Sequence, residues 1–161
     1  MNIYKYDLKT LARYTIKIVF ILLVMLSLTK CNCDFFGAHD LGNKLILLEG
    51  DKLEDRAIVY CTGYSDGCCM AGMYVIPSIG NQYQLYVETA KSDSNWVVAK
   101  TIQVMDKQEN YWIIRKDFDI KNLDCDEVNC DSIIQSHVNG PFAYQAFNYK
   151  LQEWNIDIEF E

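Results

Sequence analysis

After residue 42, short apolar runs alternate with clusters of Gly, Asn, Asp and Ser, a pattern typical of β-strands joined by turns. The runs are five to ten residues long and rich in Val, Ile, Tyr and Trp, which fit the pleated surface of a sheet. This pattern predicts seven strands, at residues 44–48, 56–61, 70–76, 83–90, 96–105, 111–115 and 156–160. The last run alternates strictly between apolar and acidic residues, which indicates one buried and one solvated face.

The apolar spacing changes between residues 130 and 154, where it predicts two short helices. Asp131 or Ser132 can cap the first helix, and Gln135 completes a capping box with Ser132. Its buried side would contain Ile133, Ile134, His137 and Val138. The segment Asn139-Gly140-Pro141 is expected to end this helix and begin the next, because Gly often follows a helix and Pro often starts one. One face of the second helix carries Ala143, Phe147, Leu151 and Trp154.

The order of these elements predicts a β-rich α+β domain, with an antiparallel sheet of about six to seven strands and two short C-terminal helices. Apolar residues make up 50% of the 161 positions, which suits one domain with a core and excludes a disordered or collagen-like chain. We assign this single globular domain to residues 43–161.

The first 30 residues have the features of an export signal. Four basic residues precede an apolar run of 11 residues, from Ile18 to Leu28. That length is typical of the apolar region of a signal peptide and short for a helix that spans a bilayer, which needs roughly 20 apolar residues. An uncleaved, membrane-anchored leader is the alternative interpretation.

A cysteine follows this apolar run almost directly. Cys31 resembles the lipid-attachment cysteine of a bacterial lipobox, although Lys30 stands where a small residue is usual. We therefore expect a signal peptide at residues 1–30 and a lipidated N-terminus with a tether at residues 31–42. This expectation places the protein in the bacterial cell envelope, periplasmic or surface-exposed, with the membrane as a partner through its lipid.

The remaining six cysteines are an even number, which in an exported chain favours disulfides. Six thiols allow 15 connectivities, and the sequence does not choose among them. Cys125 and Cys130 enclose a short acidic loop, so a local bridge between them is plausible. Cys68 and Cys69 are adjacent and would point to opposite faces of a strand, so both should not pair with one neighbour.

The net charge of the mature protein indicates which classes of partner it can bind. Residues 31–161 contain 10 basic and 21 acidic residues, a net charge of −11. A surface this acidic repels phosphate backbones, so no nucleic-acid partner is expected, and a basic protein partner is favoured. We interpret the chain as a non-enzymatic binding protein or a protective protein of the inhibitor or immunity type, without a cofactor.

Two motifs support an alternative, a small hydrolase or a metal-binding enzyme. Ser65 lies in Gly63-Tyr64-Ser65-Asp66-Gly67, which matches the nucleophile elbow of α/β-hydrolases, and Asp124 and His137 follow in the same order as the other triad members. That elbow requires a strand-to-helix turn, whereas a strand is predicted after Gly67, so a hairpin turn is favoured.

The metal hypothesis rests on cysteine and acidic side chains. Cys125, Cys130 and His137 could join Cys68 or Cys69 as a zinc set, but the spacings fit no standard zinc pattern. The acids between residues 117 and 131 lack the loop pattern of an EF-hand, so a solvated loop is favoured over a calcium site. A set of aromatic residues could form a ligand-binding face, although core packing is favoured: Tyr83, Tyr86, Trp96, Tyr111 and Trp112.

Four segments resemble a family of small bacterial lipoproteins that carry a domain of unknown function. They are Tyr74-Val75-Ile76-Pro77, Trp96-Val97-Val98-Ala99-Lys100, Tyr111-Trp112-Ile113-Ile114-Arg115-Lys116, and Gly140-Pro141-Phe142 followed by Phe147. The family often has a second Pro where Ser78 stands here. The resemblance spans roughly residues 40 to 160 and implies export, lipid attachment and a β-rich domain, with no catalytic residue to carry over.

Lipid attachment at Cys31 predicts that Cys31→Ala abolishes metabolic incorporation of a labelled fatty acid, because a lipobox cysteine is the acceptor thiol. Cys33→Ala is the matched control and should keep the label. Equal labelling of the wild type and Cys31→Ala would contradict the assignment.

Overall fold

The computed structural model describes residues 17–18, 37–65, 68–77 and 84–160. Those from residue 37 onward belong to one compact unit, Cys33–Glu161. The predicted signal peptide, apart from residues 17 and 18, and the predicted lipid site Cys31 lie outside the described residues. Within the described part of the chain, no helix is long and apolar enough to cross a membrane.

Eight strands are present among the described residues, and they form two antiparallel sheets of four. The first sheet has the order β1-β2-β3-β4, with strands at Ala38–Gly42, Leu45–Leu48, Ala57–Ser65 and Cys68–Ile76. The second has the order β5-β6-β7-β8, with strands at Leu85–Ser92, Trp96–Gln103, Glu109–Arg115 and Val138–Phe142. Two helices follow β7, α1 at Cys130–Gln135, which contacts β4 of the first sheet, and α2 at Tyr144–Glu153, which packs on β7 and β8 of the second. A short 3-10 turn, Leu53–Asp55, precedes β3.

One apolar core joins the two sheets. The first sheet contributes Leu45, Ile58, Tyr60, Val75 and Ile76, and the second contributes Val87, Val97, Ala99 and Ile114. Successive side chains of a strand point to opposite faces, and on β2, β3, β6 and β7 the alternate residues are also buried, on the outer faces of the sheets. Val98 and Ile113 pack under α2, whereas Val59 and Cys61 pack in a smaller cluster on the first sheet. Burial on both faces explains why these strands are continuous apolar runs.

The β-rich α+β class is confirmed, and the count of six to seven strands is slightly low. β1 lies within the segment assigned to the tether, and β8 contains Asn139-Gly140-Pro141, which was expected to separate two helices. Gly140 has φ +137°, and a Cβ there would come within 2.8 Å of the Trp112 ring and the Tyr111 carbonyl oxygen. The strand can therefore approach β7 only because residue 140 is Gly.

The predicted strand at residues 156–160 is wrong. This segment makes no ladder with either sheet, yet Ile156 and Phe160 are buried against α2 and the outer face of the second sheet. Its alternation therefore reflects one-sided packing of an extended segment.

Both predicted helices exist, with different boundaries. Asn129, rather than Asp131 or Ser132, caps α1 by accepting a hydrogen bond from the Ser132 backbone N–H at 3.0 Å. Ile134 is buried as expected, but α1 ends at Gln135, so His137 and Val138 lie beyond it. In α2, Phe147 is fully buried and Leu151 partly buried, while Ala143 is the exposed N-cap.

Phe147 is the central residue of the core between α2 and the second sheet, where its ring packs against Tyr111 and Phe160 with centroids 5.1 and 5.6 Å away. Phe147→Ala should lower the free energy of unfolding by roughly 3–5 kcal/mol, because it removes a buried ring and leaves a cavity. Tyr149→Ala, on the same helix at a side chain 64% exposed, should change it by no more than about 0.5 kcal/mol. Urea unfolding of both variants measures the difference, and equal effects would contradict this packing.

Candidate functional site

A cavity of about 440 Å³ opens where β6, β7, β8 and α2 meet. Six side chains line it, and we call it the tryptophan pocket: Trp96, Arg115, Ser136, His137, Asn139 and Trp154. Its volume lies in the range of roughly 300–1,000 Å³ that is usual for small-molecule sites. The lining combines two indole rings with polar groups and contains no aliphatic side chain among the described residues.

The register of the second sheet places an aromatic and a cationic side chain side by side. Trp96 of β6 is the cross-strand partner of Arg115 of β7. Trp154, at the end of α2, stacks on Trp96 with ring centroids 5.7 Å apart and an interplanar angle of 18°. Lys150 Nζ lies 5.3 Å from the centroid of the Trp154 ring. The two indoles therefore form one wall that is fixed by contacts from a strand and a helix.

A carboxylate next to the pocket organises its polar wall. Asp117 Oδ1 accepts a hydrogen bond from Arg115 Nε at 2.6 Å and lies 3.4 Å from His137 Nε2. The backbone also connects this wall, since the Arg115 N–H donates to the His137 carbonyl at 3.0 Å. His137 is held further by its ring contact with Phe118, at 4.8 Å between centroids. The imidazole is thus restrained on three sides.

Ser136, His137 and Asp117 resemble a catalytic triad at first sight, because Ser136 Oγ lies 3.1 Å from His137 Nδ1. The hydrogen bonds exclude that role in this arrangement. His137 Nδ1 lies 2.9 Å from the Ile133 carbonyl oxygen, which only accepts hydrogen bonds, so Nδ1 carries the proton. Ser136 Oγ also donates to that carbonyl, at 2.7 Å. A protonated Nδ1 cannot take a proton from Ser136, so this cluster closes the end of α1 instead of activating a nucleophile.

The residues of the hydrolase hypothesis, Ser65, Asp124 and His137, do not come together in the structure. Ser65 is exposed at the end of β3, opposite Cys68 in β4, and Asp66 and Gly67 lie outside the described residues. Within the described chain, no hydrogen bond or ion pair joins His137 to Ser65 or Asp124. Asp124 instead accepts a hydrogen bond from the Asp126 N–H in its own loop.

The five cysteines that the structure describes are all disulfide-bonded, which confirms the expectation of disulfide bonding. Cys125 and Cys130 are linked, with Cα atoms 5.4 Å apart, and Cys61 on β3 is linked to Cys69 on β4. Cys68 is disulfide-bonded as well. Sulfurs in disulfides are not thiolate ligands, so the Cys125, Cys130 and His137 set does not form a zinc site here. The described residues contain no group of three or more His, Cys, Asp or Glu side chains arranged to hold a metal ion.

The second notable surface is the acidic loop, which we define as residues 119–131. It contains five acidic residues and one Lys, and residues 121–129 are all exposed. Leu123 and Val128 are 41% and 40% exposed in this acidic surface. The Cys125–Cys130 disulfide closes the loop, and the Asp124 carbonyl accepts hydrogen bonds from the N–H groups of Glu127 and Val128 at 3.1 and 2.9 Å.

The start of the acidic loop is fixed to the core through Asp119. Its Oδ1 accepts hydrogen bonds from the Lys121 N–H at 2.8 Å and from the Tyr60 hydroxyl at 2.9 Å. The Lys121 N–H, and then the Tyr60 hydroxyl, hold the pKa of Asp119 below its ordinary value. A lowered carboxyl pKa means that these contacts stabilise the fold above the ordinary pKa of Asp, and that the stabilisation is lost as the pH falls through the lowered one.

The sequence pointed to only part of these sites. Among the aromatic candidates, Trp96 lines the pocket, whereas Tyr86 and Tyr111 are buried in the core and Trp112 donates to Thr101 Oγ1 at 2.9 Å. Tyr83 lies outside the described residues. Arg115, Asn139 and Trp154 carry no sequence signal for a site, because only the fold brings them together. Neither protein-family models, nor curated proteins, nor solved structures give a match to this chain.

The disulfide across the acidic loop gives a direct test. Peptide mapping of non-reduced protein should recover Cys125 linked to Cys130, and Cys125→Ser with Cys130→Ser should cost less than the ~3 kcal/mol expected for a 15-residue loop, because this loop is shorter. Free thiols at both positions in freshly purified protein, or zinc bound to either, would contradict the pairing.

Proposed function

We propose that the protein is an exported lipoprotein of the cell envelope that binds a basic protein partner through the acidic loop and has no enzymatic activity. The observation that carries this proposal is the exposure of Leu123 and Val128 among carboxylates in a loop that is closed by a disulfide. An inhibitor or immunity-type protein, which blocks a basic effector at the envelope, is one form of this function.

Burial of the Leu123 and Val128 side chains in an interface would contribute free energy to binding. Leu123 and Val128 leave about two-fifths of their surface in water. Burying apolar surface contributes roughly 25 cal/mol per Å², and binding energy concentrates in a few residues that are fully desolvated. Neighbouring carboxylates of Asp124, Asp126 and Glu127 would surround this apolar centre as a polar rim.

The rigidity of the loop supports the same conclusion. Binding costs free energy when loops must be ordered, and a loop that is held beforehand avoids that cost. The disulfide and the two hydrogen bonds to the Asp124 carbonyl hold the exposed half of the loop, while Asp119 and the buried Ile120 hold its start. The loop therefore presents its apolar and acidic groups in one conformation.

Charge would select the partner. The loop contributes to a net charge of −11 for residues 31–161, and such a field accelerates association with a basic surface and disfavours acidic ones. Lipid attachment at Cys31 would confine the encounter to the membrane surface. The family resemblance noted from the sequence agrees with that location.

Site-specific photo-crosslinking in the intact envelope tests the proposal. A photoreactive residue at position 123 or 128 should give one discrete adduct whose partner segment is rich in Lys and Arg. The same residue at position 105 is the control, since Met105 is 95% exposed and lies outside the loop. About 1 M salt should reduce the yield, because the Debye length there is about 3 Å.

Two double variants that remove the same charge distinguish a specific effect of the acidic loop from an effect of the net charge of the protein. Asp126→Asn with Glu127→Gln should lower the adduct yield, whereas Asp157→Asn with Glu159→Gln, which removes the same charge elsewhere, should not. Equal adduct yields in the two double variants, or an adduct at position 105 alone, would refute binding through the loop. Labelling of Ser65 by a fluorophosphonate that is lost in His137→Ala would instead establish the hydrolase alternative.

A further inference from the structure

We infer that the tryptophan pocket is a binding site for a neutral saccharide, separate from the acidic loop and independent of its proposed partner. The pocket unites a wall of two indole rings with a guanidinium, an amide, an imidazole and a hydroxyl. A sugar ring has the matching chemistry, an apolar C–H face and a rim of hydroxyls that both donate and accept hydrogen bonds.

The apolar part of the pocket is flat and aromatic. Trp96 and Trp154 are its only apolar lining residues among those described, and both are partly exposed. A lipid chain would need aliphatic walls around it, whereas a ring that lies against an indole needs only one aromatic surface. This wall therefore favours a ring-shaped ligand over an acyl chain.

The polar wall has unused hydrogen-bonding capacity. Arg115 donates from Nε to Asp117, and within the described residues no partner is present for its two terminal nitrogens. Asn139 Nδ2 has one long contact, 3.5 Å to the His137 carbonyl, and its amide oxygen has no partner in the described chain. Arginine thus offers donors and Asn139 both a donor and an acceptor, which together suit hydroxyl groups.

The charges around the pocket favour neither an anionic nor a cationic ligand. Asp117 lies against both Arg115 and His137, so the positive charge of this wall is largely compensated, and residues 31–161 carry a net charge of −11. An anion such as phosphate or a nucleotide would gain little from the compensated guanidinium. A cation would find no carboxylate among the described residues that line the pocket. The pocket therefore suits a neutral ligand that carries many hydroxyl groups.

The site is also held in place before binding. Trp96 packs on the apolar cluster beneath α2, and Trp154 stacks on it at an interplanar angle of 18°. Asn139 is fixed by β8, where its cross-strand partner is Ile113 of β7. Preorganised groups of this kind lower the entropic cost of binding.

Tryptophan fluorescence of the protein purified from membranes, in a detergent without sugar head groups, provides the measurement. Titration with cellobiose, lactose and N,N′-diacetylchitobiose should change the emission saturably for at least one of them. Two of the three tryptophans of the chain line the pocket, so Trp112→Phe should keep the response. Trp96→Phe and Trp154→Phe should each reduce it.

Polar variants identify the ligand class. Arg115→Gln and Asn139→Ala should each weaken the binding of the responding sugar about tenfold, while Lys91→Gln, on the exposed end of β5, should leave it unchanged. Circular dichroism confirms that each variant is folded.

Three outcomes would overturn the inference. The first is no response to any neutral sugar at about 10 mM, tenfold above the ~1 mM dissociation constant of weak binding. The second is a response that Arg115→Gln and Asn139→Ala leave intact in folded protein. The third is a response to inorganic phosphate or glucuronate that exceeds the response to the neutral sugars, which would assign the pocket to anions.

Discussion

Neither four-stranded sheet can bury its apolar face alone, so the core between the two sheets is the contact on which the rest of the structure depends. That core includes residues from each of the strands β1 to β7 and is completed by Phe118, Ile120 and Ile134. The segment after β7 must therefore run back across the core before α1 begins. This path places Asp117 beside Arg115 and projects the acidic loop into solvent, so both surfaces result from one packing requirement.

Tyr60 shows how closely the core and the surface are connected. Its ring is 1% exposed, yet its hydroxyl donates to Asp119 and accepts from the Ile120 N–H at 3.5 Å. A buried hydroxyl needs such partners, because an unpaired polar group in the core costs free energy. The first sheet thus determines where the acidic loop starts, although the loop lies in the chain between β7 and β8 of the second sheet.

The sequence predicted the six strands that are apolar runs, β2 to β7, and the signal is clearest in β2, β3, β6 and β7, where residues on both faces are buried. It missed β1 and β8, whose residues include Asp40, Gly42, Gly140 and Pro141, which usually mark turns. It misassigned residues 156–160, since alternation reports a buried face and does not distinguish a paired strand from an extended segment packed on a helix.

The tryptophan pocket could not be predicted from the sequence. Its residues come from β6, β7, β8, the end of α2 and the turn after α1, and only the register of the second sheet aligns them.

Trp154 is the residue at the C-terminal end of α2, so one wall of the pocket exists only while that helix is docked. Local opening of α2 and binding to the pocket are then thermodynamically linked, and a ligand that binds only while the helix is docked raises the free energy of opening by RT ln(1 + [L]/Kd). Amide hydrogen exchange along Tyr144–Glu153 would register occupancy of the pocket without observing the ligand itself. The exchange rates of the amides of α2 therefore report how often the helix separates from the pocket.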